Sequence, residues 1–149
     1  ILAEVGQLDA VVHSAGFGLA GAIEDTDLAE AQQRFDTNFF GAHRILRATL
    51  PALRATRGRL LFISSIGGAI ALPFQGMYCA SKFALDALGE CLHYELAASG
   101  VHSLMIEPGT FPTTGILGKL VAPADPERSA GYGSVAELPQ QLGAGLRGP

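Results

Sequence analysis

A tyrosine and a lysine, four residues apart, are the pair in this sequence best suited to proton chemistry. Tyr78 and Lys82 belong to the run MYCASK, and their spacing places both side chains on one face of a helix. A phenol has an unperturbed pKa of about 10, and a nearby ammonium lowers that pKa toward neutrality. Ser65 follows a predicted strand and could hydrogen-bond a substrate oxygen. These residue types suit proton transfer at a carbon–oxygen bond.

The spacing of these three residues is also that of a known enzyme family. Ser65, Tyr78 thirteen residues later and Lys82 in YCASK resemble the Ser and Tyr-x-x-x-Lys core of the short-chain dehydrogenases/reductases. The runs SIGG, LPF and MYCASKFAL look most like those of the hydroxysteroid and retinol dehydrogenases. The resemblance implies Asn38, Ser65, Tyr78 and Lys82 as the catalytic residues and NAD or NADP as the cofactor.

The resemblance also implies roles for residues outside this core. Asn38 in TNFFG matches the family's N-x-x-G motif, whose asparagine main chain holds a proton-relaying water; the alternative is a helix asparagine that bonds its neighbours. Residues 13–16, HSAG, resemble the N-N-A-G motif that lies under the cofactor. Residues 108–113, PGTFPT, resemble P-G-x-x-x-T, and the alternative is an ordinary Pro-Gly turn. The cofactor-binding residues implied are Ala15, Gly16, Tyr78, Lys82, Pro108, Gly109, Phe111 and Thr113.

His13 and Ser14 stand where that N-N-A-G motif has two asparagines, so hydrogen bonds between strands are lost from this site. His13 could be a metal ligand or a base, but no partner stands at ligand spacing. We expect a hydrogen-bonded histidine in the core, and no metal site is predicted.

Alternating strand and helix patterns position these residues. Strands are predicted in DAVVHSAG, at Leu60–Ile63 and at Val101–Ile106. One long helix follows Asp27, which forms a capping-box pattern with Glu30, and its apolar stripe extends to residue 53. A second helix begins near Phe74 and ends at Gly100. The predicted class is α/β, a Rossmann-type, doubly wound parallel sheet.

A literal G-x-G-x-x-G occurs at residues 16–21 but is not interpreted as the phosphate-binding turn. That turn should open a helix directly, whereas the next residues, AIEDTD, contain three acids. The family's glycine-rich turn and first strands are therefore missing from the sequence. We expect a fragment, residues 1–149 forming a partial domain, with resemblance over about 8–115 and a mobile substrate-loop region at 116–149.

Composition narrows the function classes. The 149 residues carry a net charge of −4, with 48% hydrophobic and 16% charged residues, which argues for a globular domain and against a nucleic-acid partner. No apolar run approaches the roughly 20 residues of a membrane span. Cys79 and Cys91 lie too far apart on one predicted helix to form a disulfide, and free thiols favour a cytoplasmic location. A homodimer or homotetramer through the two long helices is implied by the resemblance alone.

The predicted activity is an NAD(P)-dependent interconversion of an alcohol and a ketone or aldehyde. Tyr78 would be the general acid/base, while Lys82 would lower its pKa and hold the nicotinamide ribose. The alternative is a non-catalytic fragment or dimerisation scaffold that does not bind cofactor. A serine hydrolase using Ser65 is disfavoured because the G-x-S-x-G elbow is absent. The extended, epimerase-type branch also uses Tyr-x-x-x-Lys, and the choice between NAD and NADP is not predicted.

Overall fold

The computed structural model describes residues 2–109, 111 and 127–137. Three strands form a parallel sheet in the order β1-β2-β3: Ala10–His13, Arg59–Ile63 and His102–Ile106. The register pairs His13 with Phe62, and Phe62 with Met105. The predicted parallel α/β sheet is confirmed. β2 and β3 begin within one residue of the predicted starts and end where predicted, whereas β1 ends at His13, three residues before the end of the predicted DAVVHSAG segment.

Five α-helices, one π-helical turn and three 3-10 segments accompany the sheet in the described part of the chain. The α-helices are α1 (Leu2–Val5), α2 (Leu28–Phe35), α3 (Gly41–Thr56), α4 (Ile66–Ala69) and α5 (Gly76–Leu96). A π-helical turn spans Asp36–Phe40, and 3-10 turns span Ile23–Asp25, Ala97–Ser99 and Arg128–Glu137.

The start of the first long helix follows the predicted capping box. The Asp27 carboxylate accepts a hydrogen bond from Glu30 N at 2.7 Å, and the Glu30 carboxylate accepts one from Asp27 N at 3.2 Å. The helix is not uniform, however, because the π turn separates α2 from α3. A π turn holds more residues than an α turn, so it rotates the two apolar stripes apart. The predicted single apolar stripe is therefore wrong at its start: Leu28, the first residue of α2, is 73% exposed, whereas Leu46 on α3 is buried.

The second long helix agrees with its predicted end. After α5, the 3-10 turn leads to Gly100 in the left-handed region at φ +72°, which glycine adopts without a Cβ penalty. Cys79 is buried, Cys91 is exposed, and both are free, which confirms that they do not pair.

The hydrophobic core lies between one face of the sheet and helices α3 and α5. Leu60 and Phe62 on the central strand are fully buried there. The cluster comprises Ala42, Leu46, Leu53, Leu60, Phe62, Leu85, Leu92, Leu96 and Val101. On the opposite face, Val12, Leu104 and Ile106 are exposed.

The region predicted to lack regular structure contains the Arg128–Glu137 turn, where the Tyr132 ring meets Phe74 edge-on at 5.9 Å between centroids. The remainder of that predicted loop region lies outside the described residues. Within the described ranges, no helix is both long and apolar enough to cross a bilayer.

Candidate active site

Helix α5 directs Tyr78 and Lys82 toward the carboxyl end of the central strand. The two side chains are buried, at 8% and 4% exposure, as expected for neighbours four residues apart. Lys82 Nζ donates a hydrogen bond to the carbonyl of Ile63, the last residue of β2, at 3.0 Å. The lysine is therefore fixed at the strand end, where parallel sheets place their ligand sites.

Ser65 is the second residue after β2 and caps α4. Its hydroxyl accepts a hydrogen bond from Gly67 N at 3.1 Å and lies close enough to the Tyr78 side chain to lower the pKa of that phenol. The structure thus brings together the serine and tyrosine that the thirteen-residue spacing selected. Ser64, the neighbouring serine, points elsewhere and has a buried hydroxyl.

The pKa of Tyr78 is nevertheless raised from its ordinary value, because burial outweighs the effect of Ser65. The expectation that Lys82 lowers this pKa is wrong for the chain by itself. The Lys82 ammonium is directed at the Ile63 carbonyl. The pKa of Lys82 itself is lowered, because the effect of burial is larger than the opposing effect of the Asp86 charge.

The glycine pair after Ser65 explains how α4 and α5 approach so closely. A Cβ on Gly67 would stand 3.1 Å from Tyr78 Cε1, tighter than ordinary van der Waals contact. The SIGG run therefore lets the tyrosine ring lie against the backbone of the serine turn.

Asn38 lies in the π turn and is completely buried. Its Nδ2 donates to Ser81 Oγ at 3.0 Å and to Phe17 O at 3.3 Å, while its Oδ1 accepts from Phe17 N at 3.1 Å. The side chain therefore ties the loop after β1 to α5. Its predicted role, a main-chain anchor for a water, stays a prediction.

Gly16 adjoins both Asn38 and Lys82. A Cβ at this position would lie 3.2 Å from Asn38 Oδ1 and 3.4 Å from Lys82 Nζ. Gly16 and Ala15 are exposed, so an open cradle without side-chain bulk lies beside the lysine.

The segment after β3 reaches the same place. Pro108 O accepts a hydrogen bond from Ile66 N at 2.9 Å, which joins this segment to the serine turn. Gly109 and Phe111 are exposed, and Thr113 lies outside the described residues. Of the predicted cofactor-binding residues, Pro108 is thus beside Ser65, and Gly16 is beside Lys82.

His13 is buried as expected, at 1% exposure, but the expected hydrogen bond is wrong. Neither ring nitrogen has a partner of standard geometry in the described part of the chain, because the ring packs near Phe62 and Gly41. Burial lowers the pKa of His13, and the charge of Lys82 lowers it further.

The buried Arg34 and the half-buried Asp86 were not singled out from the sequence. Arg34 lies 3.6 Å above the Phe17 ring and donates to Gly18 O at 3.2 Å, which fastens the loop after β1. Asp86, four residues beyond Lys82, buries both carboxylate oxygens. Its helical spacing from Tyr78 and Lys82 was the available signal.

A family model described as "short chain dehydrogenase" matches residues 1–123. The chain belongs to the short-chain dehydrogenase family. The predicted likeness to hydroxysteroid and retinol dehydrogenases is confirmed by two curated relatives. Human retinol dehydrogenase 8 is 42% identical over 118 residues, which cover 78% of this chain and 38% of that protein. Mouse 17-beta-hydroxysteroid dehydrogenase type 1 is 43% identical over 109 residues, or 72% of this chain and 32% of that protein.

Solved structures carry the same fold. An alcohol dehydrogenase from the archaeon Thermococcus sibiricus, complexed with 5-hydroxy-NADP, superposes with a TM-score of 0.74 at 26% identity. The match covers 99% of this chain and 60% of that one. This short-chain dehydrogenase chain is therefore a partial Rossmann fold and spans about a third of the length of the two curated relatives.

Proposed function

We propose that this chain carries the proton-transfer site of an NAD(P)-dependent oxidoreductase that interconverts an alcohol and a ketone or aldehyde. Tyr78 exchanges a proton with the substrate oxygen, and Ser65 hydrogen-bonds the same oxygen. The observation that carries the proposal is the approach of three side chains at the end of β2: Ser65 lies beside the buried Tyr78, and Lys82, buried one helical turn away, donates to Ile63 O.

The residues present fit a nicotinamide cofactor. The cradle at Gly16, which a Cβ would fill, lies beside Lys82, and the Thermococcus sibiricus relative is described as complexed with 5-hydroxy-NADP. When bound, the nicotinamide supplies or accepts the hydride. NAD and NADP serve equally in this proposal. The residues proposed to hold the cofactor are Ala15, Gly16, Tyr78, Lys82, Pro108, Gly109, Phe111 and Thr113.

The raised pKa of Tyr78 gives the two directions of the reaction opposite pH dependences. Carbonyl reduction uses the protonated phenol as an acid, so it proceeds at neutral pH. Alcohol oxidation uses the phenolate as a base, so its rate rises with pH through the pKa of Tyr78. Asn38 holds the loop that bears the cradle and, through its main chain, supports proton supply to Lys82.

Tyr78→Phe in the intact protein tests the assignment. Removal of the proton donor lowers kcat for carbonyl reduction by about 10²–10⁴-fold, while cofactor binding persists. Tyr94→Phe, which alters an exposed tyrosine on the same helix, leaves kcat unchanged. Near wild-type reduction by Tyr78→Phe would refute the proposal.

The non-catalytic scaffold is the competing function, because the chain spans only part of its relatives. Fluorescence titration of the protein with NADH and NADPH separates the two. Saturable binding supports the oxidoreductase, and absence of binding by both supports the scaffold.

The substrate proposed is an alcohol or ketone with a large apolar body, because the relatives' names include retinol and hydroxysteroid. Exposed Ile70, which ends α4 after Ser65, and exposed Phe111 offer apolar contacts near the serine turn. A rise in kcat/KM with the apolar size of the substrate supports this class, and a preference for small polar alcohols opposes it.

The protein is further proposed to be a cytoplasmic homo-oligomer. Its two free cysteines suit a reducing compartment, and apolar side chains are exposed on α3 and α5, including Ile45 and Phe83. Sedimentation equilibrium of the wild type and of Phe83→Lys measures the association directly. A wild-type protein that sediments as a monomer would contradict the proposed oligomer.

A further inference from the structure

Asp86 occupies the next position along the catalytic face of α5. Tyr78, Lys82 and Asp86 follow one another at four-residue steps, so the three side chains lie in one row along the helix. Asp86 has no part in the proton transfer described above, yet it belongs to the same row.

The Asp86 carboxylate is inserted against the turn that carries Ser65. Both of its oxygens are inaccessible to solvent. A Cβ on Gly68 would overlap Asp86 Oδ2 and lie 2.9 Å from Ser64 Oγ, so the carboxylate occupies the space that only a glycine leaves free. The second glycine of SIGG thus admits the aspartate, as the first admits the tyrosine ring.

The charges around this carboxylate come from three elements. Burial raises the pKa of Asp86 above its ordinary value and Glu107 after β3 raises it too, whereas the Ser64 hydroxyl after β2 and the charge of Lys82 on α5 lower it. Neither carboxylate oxygen has a hydrogen-bond partner among the described residues, and Lys82 Nζ donates to the Ile63 carbonyl, so Lys82 acts on Asp86 through its charge across one helical turn. In return, Asp86 raises the pKa of Lys82 against the opposing effect of burial, and it also raises the pKa of Tyr78. Charged groups are rarely buried without a partner, and Lys82 is the cation in this row.

We propose that Asp86 is a positioning residue of the active site: its buried carboxylate is the counter-ion of Lys82 and holds the Ser64–Gly68 turn against α5. This inference rests on the proposed function, since it names what keeps two members of that site in their working state. In this proposal, the Asp86 carboxylate both keeps Lys82 in its charged form and keeps Ser65 in its place.

A substitution that removes the charge of Asp86 but keeps the shape of its side chain tests whether Asp86 is the counter-ion of Lys82. In Asp86→Asn, Lys82 and Tyr78 both lose a group that raises their pKa, so both limbs of the pH profile for alcohol oxidation move toward acid. The ratio of kcat/KM at about pH 9.5 to that at about pH 7.5 falls by roughly tenfold. Glu90→Gln, on an exposed position one turn further along α5, leaves the ratio unchanged.

A second readout does not depend on turnover. The titration of Lys82, followed by NMR of side-chain-labelled lysine and identified with Lys82→Arg, shifts toward acid in Asp86→Asn and stays in place in Glu90→Gln. An unshifted Lys82 titration would overturn the inference, whatever the behaviour of Tyr78→Phe. A shifted titration in a protein whose Tyr78→Phe variant is fully active would support the effect of Asp86 on Lys82 and refute the proposed function instead.

Asp86→Glu separates the charge from the packing and serves if Asp86→Asn does not fold. The longer side chain keeps the charge but has no room beside Gly68, so the Lys82 titration stays near that of the wild type while kcat falls roughly tenfold through displacement of Ser65. A wild-type kcat in Asp86→Glu would overturn the positioning of the turn, and an acid-shifted Lys82 would overturn the counter-ion.

Discussion

The two faces of the three-stranded sheet differ sharply. On one face, Leu60 and Phe62 are fully covered by α3 and α5. On the other face, Val12, Leu104 and Ile106 are between 43% and 59% exposed. Parallel sheets are normally covered by helices on both faces. In the described residues, helices cover only one of the two faces.

The covered face of the sheet is also the face next to the candidate active site. Tyr78 and Lys82 lie on α5, which covers this face, and Ser65 extends from the central strand. The comparison indicates that local packing against one sheet face suffices to bring the serine, tyrosine and lysine together. It leads to three stability predictions for this chain, the largest first.

Truncation of Phe62 gives the largest effect. Phe62→Ala leaves a cavity between β2 and the two helices and lowers the free energy of unfolding by about 3–5 kcal/mol. The matched change on the other face, Val12→Ala, costs about 0.5 kcal/mol or less in this chain, as is usual for exposed positions. Equal costs in urea denaturation would mean that the two faces are covered alike.

Gly58 lies in the turn between α3 and β2 and tests how tightly this turn is packed beside the covered face. A Cβ here would lie 2.5 Å from the backbone oxygen of Asp9 and 2.8 Å from Leu53 Cδ2. Gly58→Ala therefore forces the turn apart and costs about 1–3 kcal/mol. Gly131→Ala, where nothing lies within 4 Å, is the control, and a matching loss there would argue against a steric cause. Thermal unfolding monitored by circular dichroism measures both.

His13 is a buried polar residue on the covered face and gives the smallest effect. Its folded pKa lies below the ordinary 6.5 because of burial, so the unfolded chain binds the proton more readily. Stability is therefore complete above about pH 6.5 and declines as the pH falls through that value, by no more than about 1.4 kcal/mol per pH unit.

His13→Asn removes this titration, so the free energy of unfolding varies less with pH between about 5 and 7. His93→Asn, at an exposed position on α5, keeps the wild-type slope. If His13→Asn keeps it too, the buried imidazole is not the source of the acid sensitivity.

Local signals in the sequence were sufficient for the elements and for the central residues of the site. The Asp27–Glu30 capping box and the left-handed Gly100 depend on a few neighbouring residues and were predictable. The strands were readable as short apolar runs, and the serine-to-tyrosine spacing selected the two side chains that meet.

Features set by tertiary packing were not predictable. The direction of the Tyr78 pKa depends on how deeply the phenol is buried, which a helical spacing does not reveal. Asp86 reads in sequence as one more acid on a helix, and only the missing side chain of Gly68 makes room for it. The lost hydrogen bond of His13 likewise depends on which atoms surround the ring.

The π turn at Asp36–Phe40 makes the position of α2 sensitive to the number of residues in this stretch. Loss of one residue there would let an ordinary helix run through, and the helix before it would swing by about 100° around its axis. Arg34, now seated over Phe17, would leave its place, and the loop it fastens would come free. A single-codon deletion in this stretch is therefore expected to do more damage than a substitution at the exposed Phe40.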